Sequence, residues 1–145
     1  MLQDQLDKAQ TIETKENKIR ELVVAIFGFE PRPKQLEALV CVIAERKDLI
    51  LIAKTSFGKS LIPQAIPLLL PGKVIICILP LNVIGEEQVE KVARLPGAKP
   101  IHIRADNVDQ KGLQLSVCQG AYTHIYISPE LLIYVLKYFI DIINC

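Results

Sequence analysis

The stretch AKTSFGKS (residues 53–60) has the spacing of a phosphate-binding loop, with alanine in place of the usual first glycine. In such a loop, successive backbone N–H groups and the N-terminus of the next helix surround the phosphates. Lys59 would reach the β- and γ-phosphates, and the Ser60 hydroxyl would bind Mg²⁺. Gly58 would let the backbone approach the ligand closely. The predicted phosphate-binding residues are Thr55, Ser56, Phe57, Gly58, Lys59 and Ser60.

Two residues of this loop depart from the common pattern. Ser56 and Phe57 carry side chains at positions where related loops often have glycine. A positive φ at either residue would cost about 1 kcal/mol or more. The sequence therefore predicts phosphate binding, with the possibility of low affinity.

The elements around the loop follow an alternating pattern. Short apolar runs at residues 49–52, 74–79, 100–103 and 124–127 predict strands, and the first two predict strands buried on both faces. Amphipathic stretches predict helices over residues 2–27, 35–46, 59–70, 82–95 and 107–119. This alternation predicts an α/β fold, a parallel sheet with helices on both faces.

The composition of the chain excludes some classes of protein but does not identify a binding partner. A chain of 145 residues, half of them hydrophobic, predicts one domain, and a net charge of +1 indicates no general attraction to nucleic acid. The four cysteines have no paired spacing, which favours reduced, buried thiols in an intracellular protein. We read His102 and His124 as structural, and we expect a soluble protein without a membrane contact.

Residues 27–35, FGFEPRPKQ, resemble the adenine-reading segment of superfamily two helicases, most closely the RecQ-like DNA helicases. That segment has an aromatic-Gly-aromatic triplet followed by Arg-Pro-x-Gln. The resemblance implies that Arg32 and Gln35 bind the adenine of ATP. A glutamine amide suits this role because it can donate to and accept from the base edge at once.

Two later segments are similar to the family's nucleic-acid-contacting segments. Residues 78–89 have a strand ending in Pro-Leu before a helix with Gln-Val, and residues 124–130 have a strand running into Ser-Pro-Glu. Asn82 would cap its helix, Ser128 would contact a phosphate, and Glu130 would hold the local turn. The resemblance implies nucleic-acid contacts by Pro80, Leu81, Asn82, Ser128, Pro129 and Glu130.

The resemblance covers residues 27–132 and implies part of the first RecA-like motor lobe. It implies ATP and Mg²⁺ as cofactors, single-stranded or partly duplex DNA as the partner, 3′ to 5′ movement and a nuclear location. We therefore expect an N-terminal helical segment at 1–26, a partial helicase ATP-binding domain at 27–132 and a divergent apolar tail at 133–145. The oligomeric state is not predicted.

The family's Asp-Glu-x-His segment has no counterpart in this sequence. Its Asp holds Mg²⁺ through water and its Glu positions the attacking water. The nearest match, Asp141, is followed by Ile142 instead of Glu. We expect an incomplete lobe, truncated before this segment, with no complete catalytic set and little turnover. A catalytically dead nucleotide-binding or protein-interaction module and a small-molecule kinase remain as alternatives.

Overall fold

The computed structural model describes residues 11–80, 82–108 and 111–143. The chain divides between Lys73 and Val74 into two compact units. The first unit is helical and contains the phosphate loop, and the second contains a β-sheet with its helices. Each unit has its own apolar core.

Helix α1 (Ile12–Phe27) has a clear signal at each end. The Thr11 hydroxyl accepts a hydrogen bond from the N–H of Thr14 at 3.3 Å, which caps the N-terminus. At the other end Gly28 adopts a left-handed conformation with φ of 75°, and its N–H donates to the Val24 carbonyl at 2.9 Å. The predicted end of this helix at Gly28 is confirmed. The predicted residues 2–10 lie outside the described residues.

Two more helices complete the core of the first unit. Helix α2 (Pro33–Leu39) starts with proline at its first position and continues into a π-helical turn (Val40–Ala44). Helix α3 (Leu61–Leu69) follows the phosphate loop. The three helices bury one apolar cluster, which consists of Ile19, Val23, Leu36, Ala38, Leu39, Val40, Ile43, Leu61, Ile62, Ala65 and Leu69.

The second unit alternates strands and helices. Its elements are β1 (Ile75–Ile78), α4 (Asn82–Val92), β2 (Pro100–Ile103), α5 (Lys111–Cys118), β3 (His124–Ile127) and α6 (Pro129–Ile143). The strands form a parallel sheet in the order β1-β3-β2, and Ile127 aligns with Ile78 on one side and Ile103 on the other. The predicted α/β fold with a parallel sheet is confirmed. Helix α6 runs through residue 133, the expected start of a tail, without interruption.

The prediction of a buried strand at residues 49–52 is wrong. This segment has no regular secondary structure, and the side chains of Ile50 and Ile52 are 89% and 93% exposed. A strand is stable only when a neighbouring strand accepts and donates its backbone hydrogen bonds. Among the described residues, no segment pairs with this one. The apolar composition predicted burial. Burial of a strand also requires a paired neighbouring strand, which composition does not specify.

The prediction for residues 74–79 is correct in type and wrong in burial. Strand β1 forms, but Ile76 and Ile78 are 55% and 53% exposed and alternate with half-buried neighbours. Strand β1 is at one end of the three-stranded sheet, while β3 at the centre is buried along its whole length. Among the described strands, β1 is paired on one side only, a position that its apolar composition does not specify.

Two further expectations concern the membrane and the thiols. None of the helices in the described ranges is long and apolar enough to cross a lipid bilayer. Cys41 and Cys77 are half-buried, whereas Cys118 is exposed, contrary to the expectation of buried thiols. Burial raises the pKa of the Cys77 thiol to about 11, so this thiol is protonated at neutral pH.

Helix α4 packs against β2 through a close contact between Gly85 and His102. A Cβ atom at Gly85 would lie 2.6 Å from Nε2 of the His102 ring. Both residues are buried, and burial lowers the pKa of His102, with a further lowering from the Arg104 charge. Beside this contact Arg104 pairs with Glu86 of α4 at 2.8 Å. The absence of a side chain at Gly85 therefore sets the distance between helix and sheet.

We predict that Gly85→Ala lowers the free energy of unfolding by about 1–3 kcal/mol, because the new methyl group overlaps the His102 ring. The matched control is Gly112→Ala in α5, where an added Cβ meets nothing within 4 Å. That change should raise stability by roughly 0.5 kcal/mol through helix propensity. Urea denaturation of both variants tests the contact, and equal effects would contradict it.

Candidate functional site

The phosphate loop contains one short 3₁₀ turn (Thr55–Phe57) between the irregular segment at 49–54 and α3. Inside the loop, the Phe57 N–H donates to the Lys54 carbonyl at 3.0 Å. Gly58 then adopts a left-handed conformation with φ of 79°, so the positive φ falls on the glycine and not on Ser56 or Phe57. The loop therefore accommodates its two unusual side chains without the expected strain.

The Lys59 side chain, near the end of the loop, forms hydrogen bonds with the backbone at the start of the loop. Its Nζ donates to the Ala53 carbonyl at 2.6 Å and to the Lys54 carbonyl at 3.1 Å. An ammonium group has three N–H donors, so one remains after these two bonds. Lys59 can therefore hold the loop and still donate to a phosphate oxygen.

The backbone donors at the end of the loop have no acceptor. Among the residues that the structure describes, the N–H groups of Gly58, Lys59 and Ser60 make no hydrogen bond. They precede the nine-residue helix α3, whose N-terminus carries a partial positive charge. The Ser60 side chain is exposed and its hydroxyl has no partner in the described set. Three free donors, a lysine and a hydroxyl fit the phosphates of a nucleotide with its Mg²⁺ ion.

Arg32 and Gln35 bind the loop by its carbonyl groups. The Nη1 atom of Arg32 donates to the Ser56 carbonyl at 2.9 Å and to the Phe57 carbonyl at 3.4 Å. Nε2 of the buried Gln35 donates to the carbonyls of Phe57 at 2.9 Å and Gly58 at 3.2 Å. The structure thus brings both predicted adenine-binding residues to the phosphate loop.

The Gln35 amide has little hydrogen-bonding capacity left. Both Nε2 hydrogens are accounted for by the loop carbonyls, and Oε1 accepts from the Arg32 N–H at 2.9 Å. An amide oxygen has two lone pairs, so Oε1 can accept one more hydrogen bond. The 6-amino group of adenine could supply it, whereas guanine has an oxygen at that position.

A cleft of about 580 Å³ lies beside the loop in the first unit. Its walls are the segment at 49–54, one side of α2, and the residues Arg32, Ser56 and Phe57. Gln35, Gly58, Lys59 and Ser60 do not line it. The cleft therefore includes Ser56 and Phe57 of the loop but not the three residues that follow them.

In the second unit, the predicted nucleic-acid residues follow two neighbouring strands. Pro80 and Asn82 come after β1, and Ser128 to Glu130 come after β3, its parallel neighbour. The carboxyl ends of parallel strands meet at one edge of a sheet, so the starts of α4 and α6 lie at the same edge. Leu81 lies outside the described residues, and Asn82 is the first residue of α4.

The Ser-Pro-Glu sequence builds the start of α6. The Ser128 hydroxyl accepts from the Leu131 N–H at 3.4 Å, and Pro129 occupies the first helical position. The backbone N–H of Glu130 and then the Ser128 hydroxyl lower the pKa of the Glu130 carboxyl. The Ser128 hydroxyl therefore serves its own helix, while its contact with a nucleic-acid phosphate stays a prediction.

The described residues hold no cluster of three or more His, Cys, Asp or Glu side chains arranged to bind a metal. His102 and His124 are buried in the sheet, and Nδ1 of His124 lies 2.8 Å from the Thr123 hydroxyl. Asp141 belongs to α6, but its side chain lies outside the described set. Ser60, in the phosphate loop, remains the predicted Mg²⁺ ligand.

Sequence reasoning missed the contacts that hold the carbonyl groups of the loop. The acceptors on Ala53, Lys54, Ser56 and Phe57 are backbone atoms, which any residue type supplies equally well. The one available signal was Arg32, since a guanidinium has several N–H donors and is suited to binding more than one carbonyl. The bonds from Lys59 to its own loop left no signal in the residue types.

We predict that Gly58→Ala lowers the free energy of unfolding more than Gly72→Ala does. Both glycines have positive φ, 79° and 83°, so both variants carry backbone strain of roughly 1 kcal/mol. Only at Gly58 would the new Cβ also lie 2.8 Å from Nε2 of Gln35, whereas Gly72 has open space. Chemical denaturation should show an additional loss of roughly 1–2 kcal/mol for Gly58→Ala. Equal losses would contradict the contact between loop and Gln35.

Comparison with known proteins gives a family for this arrangement. The model of the family described as DEAD/DEAH box helicase matches residues 32–142. The chain is 32% identical over 123 residues to the ATP-dependent DNA helicase Q-like SIM of Arabidopsis thaliana, covering 84% of this chain and 14% of that protein. It is also 32% identical over 129 residues to the putative ATP-dependent RNA helicase R290 of Acanthamoeba polyphaga mimivirus, covering 88% of this chain and 23% of that protein.

These matches span most of this chain and less than a quarter of either relative. The family match includes Arg32, Gln35, the phosphate loop and the whole β-sheet. The fold, the loop geometry and the family model agree. The chain belongs to the DEAD/DEAH box helicase family.

Proposed function

We propose that this chain is the ATP-binding, nucleic-acid-contacting part of the first motor lobe of a RecQ-like DNA helicase. The single observation that carries the proposal is that the N–H groups of Gly58, Lys59 and Ser60, which precede α3, make no hydrogen bond within the part of the chain that the structure describes. The Lys59 ammonium contacts the start of the same loop. These groups are donors, which is what the phosphates of a nucleotide require.

Each loop residue has a separate role in the proposed complex. The backbone donors bind phosphate oxygens, the third N–H of Lys59 adds a charge-assisted bond, and the Ser60 hydroxyl coordinates Mg²⁺. Bound Mg·ATP supplies a phosphoanhydride bond whose cleavage can drive movement in a complete motor. Gln35 favours adenine through the free lone pair on Oε1.

The RecQ-like assignment rests on the segments that flank the loop. The Arg-Pro-x-Gln sequence ends at Gln35, and one relative is named a Q-like DNA helicase. The other relative is named a putative RNA helicase, so the preference for DNA is part of the proposal. Movement from 3′ to 5′ along single-stranded DNA is proposed on the same basis.

Nucleic acid would bind at the sheet edge of the second unit. Two helices begin there, α4 and α6, with 11 and 15 residues. Helix N-termini present N–H groups that suit backbone phosphates, and such contacts carry no base specificity. We propose binding to single-stranded or partly duplex DNA through Pro80, Leu81, Asn82, Ser128, Pro129 and Glu130.

We propose that these 145 residues alone do not hydrolyse the nucleotide. The sequence contains no Asp-Glu pair to hold Mg²⁺ and to position the attacking water. Binding and hydrolysis are therefore separable properties here. We propose that the chain binds Mg·ATP and does not separate strands by itself.

A second candidate is a catalytically inactive nucleotide-binding module that also contacts another protein. The observation that favours it is the exposure of Ile50 and Ile52, at 89% and 93%, in the segment leading into the loop. Ile50 and Ile52 are separated by one residue, and a contiguous exposed apolar patch marks a protein-contact surface. This candidate shares the nucleotide site and differs in lacking any contact with nucleic acid.

Calorimetric titration of Mg·ATP tests the proposed site. We expect wild type to bind, and Lys59→Ala to lose roughly 10- to 100-fold in affinity because a charge-assisted bond is removed. The matched control is Lys73→Ala, an exposed lysine outside the loop, which should bind like wild type. Equal affinities of wild type and Lys59→Ala would contradict a phosphate site at this loop.

Single-stranded DNA distinguishes the two candidates in the same preparation. Binding of a labelled oligonucleotide, weakened by added salt, supports the helicase lobe. Binding of Mg·ATP without any affinity for DNA supports the inactive module. Steady ATP hydrolysis stimulated by DNA would contradict the proposed lack of turnover.

A further inference from the structure

The guanidinium of Arg32 donates hydrogen bonds to backbone carbonyl groups of the phosphate loop. Nη1 donates to the Ser56 carbonyl at 2.9 Å and to the Phe57 carbonyl at 3.4 Å. A hydrogen bond from a charged donor is stronger than one between neutral groups. Both acceptors belong to the 3₁₀ turn (Thr55–Phe57), a single short turn within the loop.

This turn has little to hold it from within. Among the described residues, it has one internal backbone bond, from the Phe57 N–H to the Lys54 carbonyl at 3.0 Å. A single turn fixes several dihedral angles for one hydrogen bond, so it is unstable in isolation. Contacts from outside the turn are therefore needed to keep the conformation that presents free N–H groups at Gly58 and beyond.

Arg32 and Gln35 supply such outside contacts from the start of α2. Gln35 is buried and packs so closely that a Cβ at Gly58 would lie 2.8 Å from its amide nitrogen. Arg32 is exposed and reaches further back along the loop, to Ser56. The Gln35 Oε1 atom accepts from the Arg32 backbone N–H, so the two residues form one connected set.

We propose that Arg32 is a positioning residue for the phosphate loop. It holds the carbonyls of Ser56 and Phe57 and thereby the donors that follow them, instead of selecting the base. Its removal weakens the binding of any triphosphate, whatever base is attached. The binding part of this inference rests on the proposed function, and the loop-ordering part stands without it.

Hydrogen exchange in the nucleotide-free protein tests the loop-ordering part. The Phe57 and Leu61 amides report on the loop, since they donate to the Lys54 and Gly58 carbonyls. We expect Arg32→Ala to exchange roughly fivefold faster at these two amides, with amides of α1 unchanged, and Arg32→Lys to recover part of the protection. Unchanged exchange at Phe57 and Leu61 would overturn the inference.

The matched control is Lys34→Ala. Lys34 is two residues from Arg32, carries the same charge, and pairs with Glu37 at 2.7 Å. Among the described residues it makes no hydrogen bond to the loop. This variant should exchange like wild type at both reporter amides. An equal acceleration in Lys34→Ala would assign the effect to general charge or to α2, and would overturn the inference.

Titration with three ligands tests the binding part. Calorimetry with Mg·ATP, Mg·GTP and inorganic triphosphate should show a similar loss for Arg32→Ala, roughly three- to tenfold with each ligand. A loss confined to Mg·ATP would make Arg32 a base reader and overturn the inference. If wild type binds none of the three, the proposed function fails, and the exchange result alone then supports or overturns the role of Arg32.

Discussion

The candidate site depends on a difference between the backbone carbonyl groups and the backbone N–H groups of the phosphate loop. The carbonyls of the loop accept hydrogen bonds from Lys59, Arg32 and Gln35, while the N–H groups that follow have no acceptor among the described residues. A phosphate needs donors and is repelled by free carbonyl oxygens. In the proposed site, the hydrogen bonds made by the carbonyls leave the donors that follow to bind an anion.

Gly58 contributes to this arrangement through its backbone conformation and through its lack of a side chain. Its left-handed backbone turns the chain from the 3₁₀ turn into α3, and its missing side chain leaves space for the Gln35 amide. Gly85 has the corresponding function in the second unit, where it lets α4 approach His102 on β2. Each unit thus positions its functional elements by a close contact that only glycine permits.

Sequence patterns predicted local structure well and tertiary contacts poorly. Helical spacing and Gly28 predicted where α1 ends, and alternating elements predicted the parallel sheet. The apolar segment at 49–52 was misread, because burial of a strand depends on neighbours that composition does not specify. The contacts of Arg32 and Lys59 with carbonyls were not predictable, since every residue type offers the same backbone acceptor.

We propose that Gly58, Lys59 and Ser60 hold the phosphates through their N–H groups. The most direct measurement is the change in backbone amide chemical shifts, by ¹H–¹⁵N NMR, as Mg·ATP is added to the protein. We expect the largest changes at these three amides. Saturable binding with the largest changes elsewhere, and these three amides unmoved, would contradict it.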